Sequence, residues 1–547
     1  MRENLPCITT CVPRVNVSLR YIRVLVKRAL DQFLKDFKEF LPAYLREEYS
    51  LEGFQESIYQ IHFPDSQEKL LDAYRRLVFD EFFMLELALA LRKRGVYAKK
   101  KAHSYQIKKT LLTPFRERLS FQFTQSQKKV INEIFNDMLS THPMNRLLQG
   151  DVGSGKTVVA LSSLLLACEN GYQGALMVPT EILAEQHFLN IKKMLDGLNV
   201  KIGLIVGKQS AKERKKVLKE IECGQVNLVI GTHALIEEGL KFNNLSMAVI
   251  DEQHKFGVLE RLKLRKKGWN LDVLVMTATP IPRTLALTLY GDLDISVIDR
   301  SPPGRKKIIT KRMGEREAYR FLIEEVRNKR QGYVVYPLVN ESDKMELKAA
   351  VGMAEKLRTG VFRHYRVGLI HGQMRKEDKD KTMLAFLRKE FDIIIATTII
   401  EVGIDVPNAS VMIIENSDRF GLATLHQLRG RVGRSDYQSY CILLGDSKTE
   451  EAKRRLDIML NTCDGFRIAE EDLRIRGVGE FFGIRQHGMP IFRIGDLIKD
   501  YKILHLARKS AFELVNRDPY LKVVENQGIR EKLKKRFGLK FILGEVG

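Results

Sequence analysis

The feature that most constrains the fold of this chain is a glycine-rich segment, Gly150-Asp151-Val152-Gly153-Ser154-Gly155-Lys156-Thr157. A short apolar run ending at Gln149 precedes it, and a longer apolar run with helical spacing, Val158 to Ala167, follows it. A strand, a glycine turn and a helix in this order form a phosphate-binding loop, because converging backbone N–H groups and the helix dipole attract an anion. The alternative is a glycine-rich turn before a core helix. We expect the whole segment to bind a nucleoside triphosphate, with Lys156 at the β- and γ-phosphates and the Thr157 hydroxyl on Mg²⁺.

Around this segment, short apolar runs alternate with helical patterns, first over residues 118–300 and then over 301–450. The predicted strands are 147–149, 175–178, 228–230, 247–250 and 273–276, then 333–339, 367–370, 393–396, 411–414 and 441–444. Continuously apolar strands separated by helices are typical of parallel α/β sheets that are covered on both faces. Because only the first domain carries a phosphate loop, the sequence predicts a site in the cleft between the two domains, closing on the nucleotide.

Acids and arginines complete the predicted site. Asp251 and Glu252 directly follow the strand at 247–250, at the sheet edge where parallel α/β folds bind ligands. Asp251 would hold Mg²⁺, and Glu252 would polarise the attacking water. Arg431 and Arg434 of the second domain would stabilise charge on the transferred phosphoryl group, and their i, i+3 spacing predicts a shared helix face. The alternatives are a surface acidic pair and a solvated basic helix.

Both flanks of the α/β region are predicted to be helical. From Tyr21 to about Arg94 apolar residues recur at helical spacing, with breaks at Pro42 and Pro64, and the run Phe82 to Leu91 is apolar nearly all round. Such a run predicts a helix buried on several sides, either in a linker that packs on the later domains or in a free-standing bundle. After residue 450 the pattern is helical, then rich in glycine and arginine, and finally basic.

The charge of the chain indicates a polyanionic partner. Lys and Arg number 91 against 68 Asp and Glu, a formal net charge of +23. This excess favours nucleic acid or an anionic membrane, and the lack of an apolar run long enough to span a bilayer favours nucleic acid and the cytoplasm. A basic cluster at residues 99–101 and 108–109 fits either a solvated face or a phosphate contact. The cysteine spacings do not suit a zinc site.

Several segments resemble the motifs of superfamily-two helicases. Gly150–Thr157, Asp251–His254, Thr277–Pro280 and Gln427–Arg434 resemble motifs I, II, III and VI. Other segments resemble the adenine-sensing Q motif, two strand-tracking motifs and motifs IV and V: 121–127, 178–181, 231–235, 370–372 and 396–407. The resemblance implies ATP and Mg²⁺ as cofactors. It implies nucleotide contacts or catalysis for Gln127, Gly403, Asp405 and Gln427. It implies DNA contact or coupling for Thr180, Thr232, His233, His254, Thr277 and Thr279.

A narrower resemblance points to two DNA translocases, RecG and the transcription-repair coupling factor Mfd. It is carried by Asp251–Val258, His426–Arg434 and Ile468–Gly488, and the last of these resembles their shared translocation motif. Ile61–Pro64 and Arg75–Phe83 resemble the helical linker of RecG and favour that family. The residues that would couple the nucleotide cleft to the DNA duplex are Arg474, Arg476 and Gln486.

The resemblance to RecG implies an α/β fold with two RecA-like parallel-sheet motor domains in tandem. A helical linker would precede them, and a helical hairpin with the translocation motif would follow. The predicted divisions are 1–20 for a remnant of the wedge domain, 21–117 for the linker, 118–300 and 301–450 for the motor domains, and 451–547 for the hairpin, motif and tail. Because only about twenty residues precede the linker, we expect most of the OB-fold wedge of RecG proteins to be missing.

The same resemblance implies an ATP-dependent DNA helicase and double-stranded DNA translocase that remodels stalled forks and Holliday junctions in recombination and repair. The expected partners are branched and double-stranded DNA and a single-stranded DNA-binding protein, with no membrane. The expected state is a monomer in the cytoplasm, associated with the nucleoid. Two alternatives are a fragment that binds DNA and hydrolyses ATP without unwinding, and an Mfd-like translocase.

Overall fold

Two compact units make up the chain, one formed by residues 1–99, 283–293 and 478–547 and the other by residues 100–282 and 294–477. The computed structural model describes residues 19–97, 100–207, 209–252, 260, 263–264, 267–277, 282, 293–299, 306–337, 344–396, 406–435, 437–446, 449–481, 492–497 and 499–542. Within these ranges, no helix is both long and apolar enough to cross a bilayer.

Helices flank and separate the strands along the chain. The helices are α1 (Leu19–Phe33), α2 (Ala43–Glu48), α3 (Phe54–His62), α4 (Gln67–Tyr97), α5 (Leu112–Arg118), α6 (Gln125–Leu139), α7 (Lys156–Glu169), α8 (Glu181–Met194), α9 (Ala211–Glu222), α10 (Glu315–Arg327), α11 (Lys344–Thr359), α12 (Lys376–Leu387), α13 (Leu422–Arg429), α14 (Glu450–Asn461), α15 (Gly465–Phe481), α16 (Tyr501–Arg517) and α17 (Gln527–Ile542). The strands are β1 (Asn145–Gly150), β2 (Gln173–Met177), β3 (Ile202–Ile205), β4 (Leu228–Gly231), β5 (Leu245–Ile250), β6 (Asp272–Thr277), β7 (Asp294–Ile298), β8 (Ile309–Arg312), β9 (Gln331–Val335), β10 (Val367–Ile370), β11 (Ile393–Ala396), β12 (Ala409–Ile414) and β13 (Tyr440–Leu443).

The second unit contains two parallel sheets, which confirms the prediction of two RecA-like domains in tandem. The first sheet has the order β3-β4-β2-β5-β6-β1-β7, and the second has the order β10-β11-β9-β12-β13-β8. Every strand pair is parallel. The inner strands β1, β2, β4, β5 and β6 are buried along their whole length, as continuously apolar strands under helices on both faces should be.

Sequence analysis missed three strands, and all three lie at sheet edges. β3 and β7 border the first sheet, and β8 borders the second. An edge strand pairs on one side only and is partly exposed: β8 has no buried residue, and β3 buries only alternate residues. A pattern of burial on both faces therefore identifies edge strands poorly, although β10, also an edge strand, was predicted from its apolar run at 367–370.

The loops at the carboxyl ends of the first sheet position most of the predicted site. The phosphate loop follows β1, Thr180 follows β2, Thr232 follows β4 and Asp251 follows β5, while Thr277 is the last residue of β6. The strands are parallel, so all of these ends lie along the same edge of the sheet. The topology therefore brings together segments that are more than one hundred residues apart in the chain.

The basic cluster around residue 100 does not form a uniformly solvated face, contrary to one interpretation of its sequence. The Lys101 ammonium is buried and lies 3.4 Å from the fully buried Asp272 carboxylate. His103 Nε2 lies 3.0 Å from the same carboxylate, which also accepts a 2.6 Å hydrogen bond from the Met144 N–H. A side chain enclosed in this way is not available to a DNA phosphate, whereas Lys100, Lys108 and Lys109 are exposed, and both interpretations stay predictions for them. Lys101 instead fastens the segment before α5 to the first sheet.

The first unit is built around α4, whose apolar stretch is buried as predicted. Every residue from Phe82 to Ala90 has less than one tenth of its surface exposed. The principal partner of α4 is α16, near the other end of the chain. Polar contacts also join these segments: the Tyr74 hydroxyl donates to Asp500 at 2.8 Å, Arg508 pairs with the buried Glu86 at 2.7 Å, and Arg94 donates to the Val515 carbonyl at 3.0 Å. The linker helices therefore share a core with the C-terminal helices.

Candidate active site

The phosphate loop has a backbone that only glycine adopts readily. Gly153 and Gly155 have φ angles of +77° and +87°. A Cβ atom on Gly155 would overlap with the Gln127 side chain, and one on Gly150 would overlap with the Ser154 hydroxyl. The loop is therefore folded tightly on itself, and two of its amides bond within it: the Val152 N–H donates to the Asp151 carboxylate at 2.6 Å and the Ser154 N–H to the Asp151 carbonyl at 3.1 Å.

Lys156, the first residue of α7, points its ammonium group back into the loop. Its Nζ donates hydrogen bonds of 2.8 Å to the Gly150 carbonyl and 3.0 Å to the Asp151 carbonyl. Burial lowers the pKa of Lys156, while the Asp251 and Glu252 carboxylates oppose this shift. The Arg434 guanidinium, which comes from the second domain, adds to the lowering. Lys156 therefore lies within electrostatic reach of both the predicted acids and one of the predicted arginines.

Gln127 ties the start of α6 to the phosphate loop. Its backbone N–H donates to the Thr124 hydroxyl at 3.1 Å, and its side-chain carbonyl accepts from the Thr124 N–H at 2.9 Å, which makes a capping box. The remaining amide nitrogen donates to the Ser154 carbonyl at 2.8 Å. Both ends of the buried amide are thus engaged by protein, so Gln127 braces the loop in this structure.

The predicted acids lie at the end of β5. The Asp251 N–H donates to the Met177 carbonyl of the neighbouring strand at 2.9 Å, and the Asp251 carboxylate accepts from the Glu252 N–H at 3.0 Å. Glu252 has a φ of +52°, in the left-handed region that a residue with a side chain rarely occupies. Such conformations cost free energy and are concentrated at functional sites. His187 Nε2, from α8, lies 3.5 Å from the Asp251 carboxylate.

Arg431 and Arg434 do not share a helix face, so that part of the sequence interpretation is wrong. α13 ends at Arg429, and Gly430 caps it. Gly433 has a φ of +78°, which turns the chain out of helical geometry between the two arginines. The two glycines of the segment make it a turn after a helix. Gln427, by contrast, lies within α13.

The turn after α13 lies directly against the phosphate loop. A Cβ on Gly430 would come within 3.0 Å of the Val152 side chain. His426 Nε2 lies 2.7 Å from the Asp151 carboxylate, and the Gly465 N–H at the start of α15 donates to the other Asp151 oxygen at 3.3 Å. The second domain therefore contacts the phosphate loop of the first domain through His426 and Gly430.

A buried arginine extends this contact into the second domain. The Arg429 guanidinium donates to His426 Nδ1 at 3.0 Å, and to the Met459 and Thr462 carbonyls at 3.0 and 2.9 Å. Because an arginine can only donate, His426 Nδ1 must accept, and the proton of the neutral imidazole lies on Nε2. His426 can then donate to Asp151. The chain of contacts runs from the phosphate loop to the end of α14.

The residues present fit ATP and Mg²⁺. The loop offers a lysine, and the buried Ser154 hydroxyl inside it has no hydrogen-bond partner among the described residues. Thr157 and Asp251 carry side-chain oxygen atoms, the kind of ligand that Mg²⁺ prefers. In the part of the chain that the structure describes, no cluster of three acidic, His or Cys residues could hold a metal ion. Mg²⁺ usually binds one or two carboxylates together with substrate phosphates and water.

The residues predicted to contact DNA or to couple it have varied surroundings. The Thr180 side chain caps α8 by accepting from the Leu183 N–H at 3.3 Å, Thr232 is buried, and His233 is exposed. Arg474, on α15, pairs with Glu471 at 2.5 Å. Arg476 belongs to the same helix. The predicted residues that lie outside the described ranges are His254, Thr279, Gly403, Asp405 and Gln486.

Three protein families have models that match successive parts of the chain. They are the DEAD/DEAH box helicase over residues 124–288, the helicase conserved C-terminal domain over 317–436, and the ATP-dependent DNA helicase RecG, domain 3, C-terminal, over 462–539. The ATP-dependent DNA helicase RecG of Bacillus subtilis is 43% identical over 524 residues, which are 95% of this chain and 77% of that protein. The chain belongs to the RecG family.

Other RecG proteins match over a similar length. The ATP-dependent DNA helicase RecG of Synechocystis is 45% identical over 533 residues, which are 97% of this chain but 64% of that protein. A solved structure of RecG bound to a three-way DNA junction superposes with a TM-score of 0.74 at 42% identity, covering 90% of this chain and 65% of the other. The chain therefore spans somewhat less than two thirds of these two relatives.

Within this member of the RecG family, sequence reasoning missed several residues of the site. His426 and Arg429 stand in a segment that was recognised as motif VI, but neither received a role. His187 lies in α8, where nothing in the sequence distinguishes it. The sequence did show His426 and Arg429 next to the predicted catalytic residues, which could have marked both as candidates for the site. Their partners could be identified only from the tertiary structure.

Proposed function

We propose that this chain is an ATP-driven motor that moves along double-stranded DNA and remodels branched DNA such as stalled forks and Holliday junctions. Two findings support the proposal: membership of the RecG family, and the contact between His426 and Asp151, which joins the second domain to the phosphate loop. The relative solved with a three-way junction supports branched DNA as the substrate. The excess of positive charge suits the phosphate backbone, which dominates binding to nucleic acids.

Bound ATP with Mg²⁺ would supply the phosphoanhydride bond whose hydrolysis drives movement. Lys156 would hold the phosphates, with Thr157 and Asp251 on the metal. Glu252 would orient the attacking water, and Arg431 and Arg434 would neutralise developing charge. The positions of Lys156, Thr157, Asp251 and Glu252 at one edge of the first sheet support these roles, and Arg434 of the second domain is close enough to lower the pKa of Lys156.

The test is the rate of ATP hydrolysis by the purified chain with no DNA, single-stranded DNA, linear duplex and a three-way junction. We expect stimulation by duplex and the greatest stimulation by the junction. Unwinding of a junction with one labelled strand, with ATP or with a non-hydrolysable analogue, reports remodelling. A rate that none of these DNAs changes would exclude the proposed motor.

Glu252→Gln tests the water-orienting role. The variant should bind ATP with nearly unchanged affinity, because the amide keeps the size of the side chain, while turnover falls by about a hundredfold or more. Glu222→Gln, at an exposed position on α9, is the matched control and should behave as the parent chain does. Unchanged turnover in Glu252→Gln would remove this residue from the mechanism.

Three narrower features belong to the same proposal: a monomeric state, association with the nucleoid, and interaction with a single-stranded DNA-binding protein. They are supported by the family resemblance alone. Light scattering of the chain with and without DNA tests the first. Co-sedimentation with a purified single-stranded DNA-binding protein tests the last.

A further inference from the structure

The buried Glu81 of α4 holds a short segment of backbone from the far end of the chain. Its carboxylate accepts hydrogen bonds from three consecutive amides, those of Arg493 at 3.0 and 3.2 Å, Ile494 at 3.1 Å and Gly495 at 3.0 Å. Consecutive N–H groups that converge on one anion form a nest, and hydrogen bonds to an ionised acceptor are stronger than neutral ones. One side chain thus fixes the path of three residues.

Apolar contacts from the neighbouring residue of α4 reinforce this nest. The Phe492 ring packs edge-on against the Phe82 ring, with centroids 5.3 Å apart. Gly495 lies so close to Phe82 that a Cβ atom on it would be 2.9 Å from the ring. Residues 492–495 are therefore fastened to a single turn of α4, by a carboxylate on one residue and an aromatic ring on the next.

The segment held by Glu81 closely follows the stretch that resembles the translocation motif. The stretch that resembles the translocation motif ends at Gly488, only a few residues before Phe492. Beyond the nest, Asp500 and Arg508 are also held on α4, through Tyr74 and Glu86. The chain that leaves the motif is thus attached at once to α4 and remains attached over the following turns.

We infer that Glu81 is a positioning residue that anchors the exit of the translocation motif to the linker helices. This inference rests on the proposed motor function. A segment that drives DNA must be held firmly at one end, because slack at that end absorbs its displacement. With Glu81 in place, one end of the motif is fixed on α4, and the motif moves relative to that helix. Without Glu81, ATP hydrolysis continues, but the duplex moves a shorter distance for each ATP hydrolysed.

Glu81→Gln separates this role from packing. The glutamine keeps the shape of the side chain but loses the negative charge that three amides share. Glu68→Gln is the matched control, because Glu68 is exposed on the first turn of the same helix. Two rates are measured on one linear duplex that carries a triplex-forming strand: ATP hydrolysis, and displacement of that strand as the measure of translocation.

We expect Glu81→Gln to slow strand displacement by about tenfold while DNA-stimulated ATP hydrolysis changes by less than about twofold. Hydrogen exchange at the amides of 493–495 should accelerate in the same variant. Glu68→Gln should alter neither rate. A Glu81→Gln protein that displaces the strand as fast as the parent, or one in which both rates fall in proportion, overturns the inference.

A second variant covers the case in which Glu81→Gln does not fold. Gly495→Ala leaves the carboxylate intact but forces the segment away from Phe82, and it should give the same loss of displacement relative to hydrolysis. If the parent chain itself shows no DNA-stimulated hydrolysis, the proposed function fails. Exchange at 493–495 then still decides whether Glu81 anchors the segment: unaltered exchange in Glu81→Gln and Gly495→Ala refutes the anchor.

Discussion

His426 Nε2 lies 2.7 Å from Asp151 Oδ1, so a histidine of the second domain is bonded to the phosphate loop of the first. Burial by itself would raise the pKa of Asp151, but the hydrogen bond from His426, together with the Val152 N–H and the nearby Lys156 ammonium, outweighs it and holds that pKa below its ordinary value. Arg431 and Arg434 follow His426 closely in the chain. A contact that fixes His426 against Asp151 therefore also limits where the two arginines can be placed.

Two substitutions at His426 should separate its two hydrogen bonds. His426→Gln places a donor near the position of Nε2 and retains the bond to Asp151. His426→Asn retains an acceptor near Nδ1 for Arg429 but cannot reach Asp151. If the contact with the phosphate loop is what matters, kcat for ATP hydrolysis should fall by about tenfold in His426→Asn and by much less in His426→Gln. Steady-state kinetics of both variants decide the point, and the reverse order would contradict it.

Two glycines at opposite ends of α7 should respond differently to alanine. Both have positive φ angles, +87° at Gly155 and +81° at Gly171, but only Gly155 has a side chain in the path of a Cβ atom. Gly171→Ala should cost about 1 kcal/mol of unfolding free energy and leave ATP affinity unchanged. Gly155→Ala should in addition displace Gln127 and lower ATPase activity by about a hundredfold. Steady-state ATPase assays, titration with a fluorescent ATP analogue and chemical denaturation measure these effects, and equal ATPase activity in the two variants would contradict the assignment.

Asp272 should be among the most sensitive positions of the first sheet. Its carboxylate is fully buried, lies close to the Lys101 ammonium and the His103 ring, and accepts a hydrogen bond from the Met144 N–H. Asp272→Ala would leave the buried Lys101 ammonium without its counter-ion and should lower the free energy of unfolding by about 3 kcal/mol. Adding Lys101→Met should recover part of this loss, because the uncompensated charge is then gone. Urea denaturation of the single and double variants measures the coupling, and strictly additive losses would show that the two residues act independently.

Lys532 of α17 should make the stability of the first unit depend on pH. Its ammonium lies 3.4 Å from the centre of the Phe40 ring and 4.3 Å from that of Phe54. Burial lowers the pKa of Lys532 to about 8, from an ordinary value of 10.5. The surrounding charges act in both directions: Asp80 and Glu39 raise this pKa, whereas Arg76 and Arg536 lower it.

The sign of the effect follows from proton binding. Between about pH 8 and 10.5 the unfolded chain holds a proton on Lys532 that the folded chain has released, so stability rises with pH in that window. The difference in unfolding free energy between the parent and Lys532→Met should therefore grow by on the order of 2 kcal/mol across it. Lys534→Met, at an exposed position of the same helix, should show no such change. A difference that stays flat from pH 8 to 10.5 would show that burial does not depress this lysine.

The sequence by itself determined the features that depend only on residues close together in the chain. The phosphate loop, the acids after β5 and the inner strands each depend on a local pattern: glycines that permit positive φ, or apolar runs bounded by turns. Edge strands such as β8 escaped because half-exposed residues carry no such pattern. The helix expected to hold Arg431 and Arg434 was wrong because the arginine spacing was weighed without Gly430, which caps α13, and Gly433, whose positive φ lies between the two arginines.

Only the tertiary structure decided which distant side chains meet. His426 and Asp151 are 275 residues apart in the chain, and Glu81 lies 412 residues before the first amide that it binds. The sequence around Lys101 is that of several surface lysines, and only the fold shows that Lys101 is buried beside Asp272. A pairing of this kind leaves no local pattern in the sequence, because the residues next to a histidine or a glutamate do not show which distant partner it contacts. The order of the parallel strands and the packing of α4 bring the partners together, and burial then makes their hydrogen bonds strong.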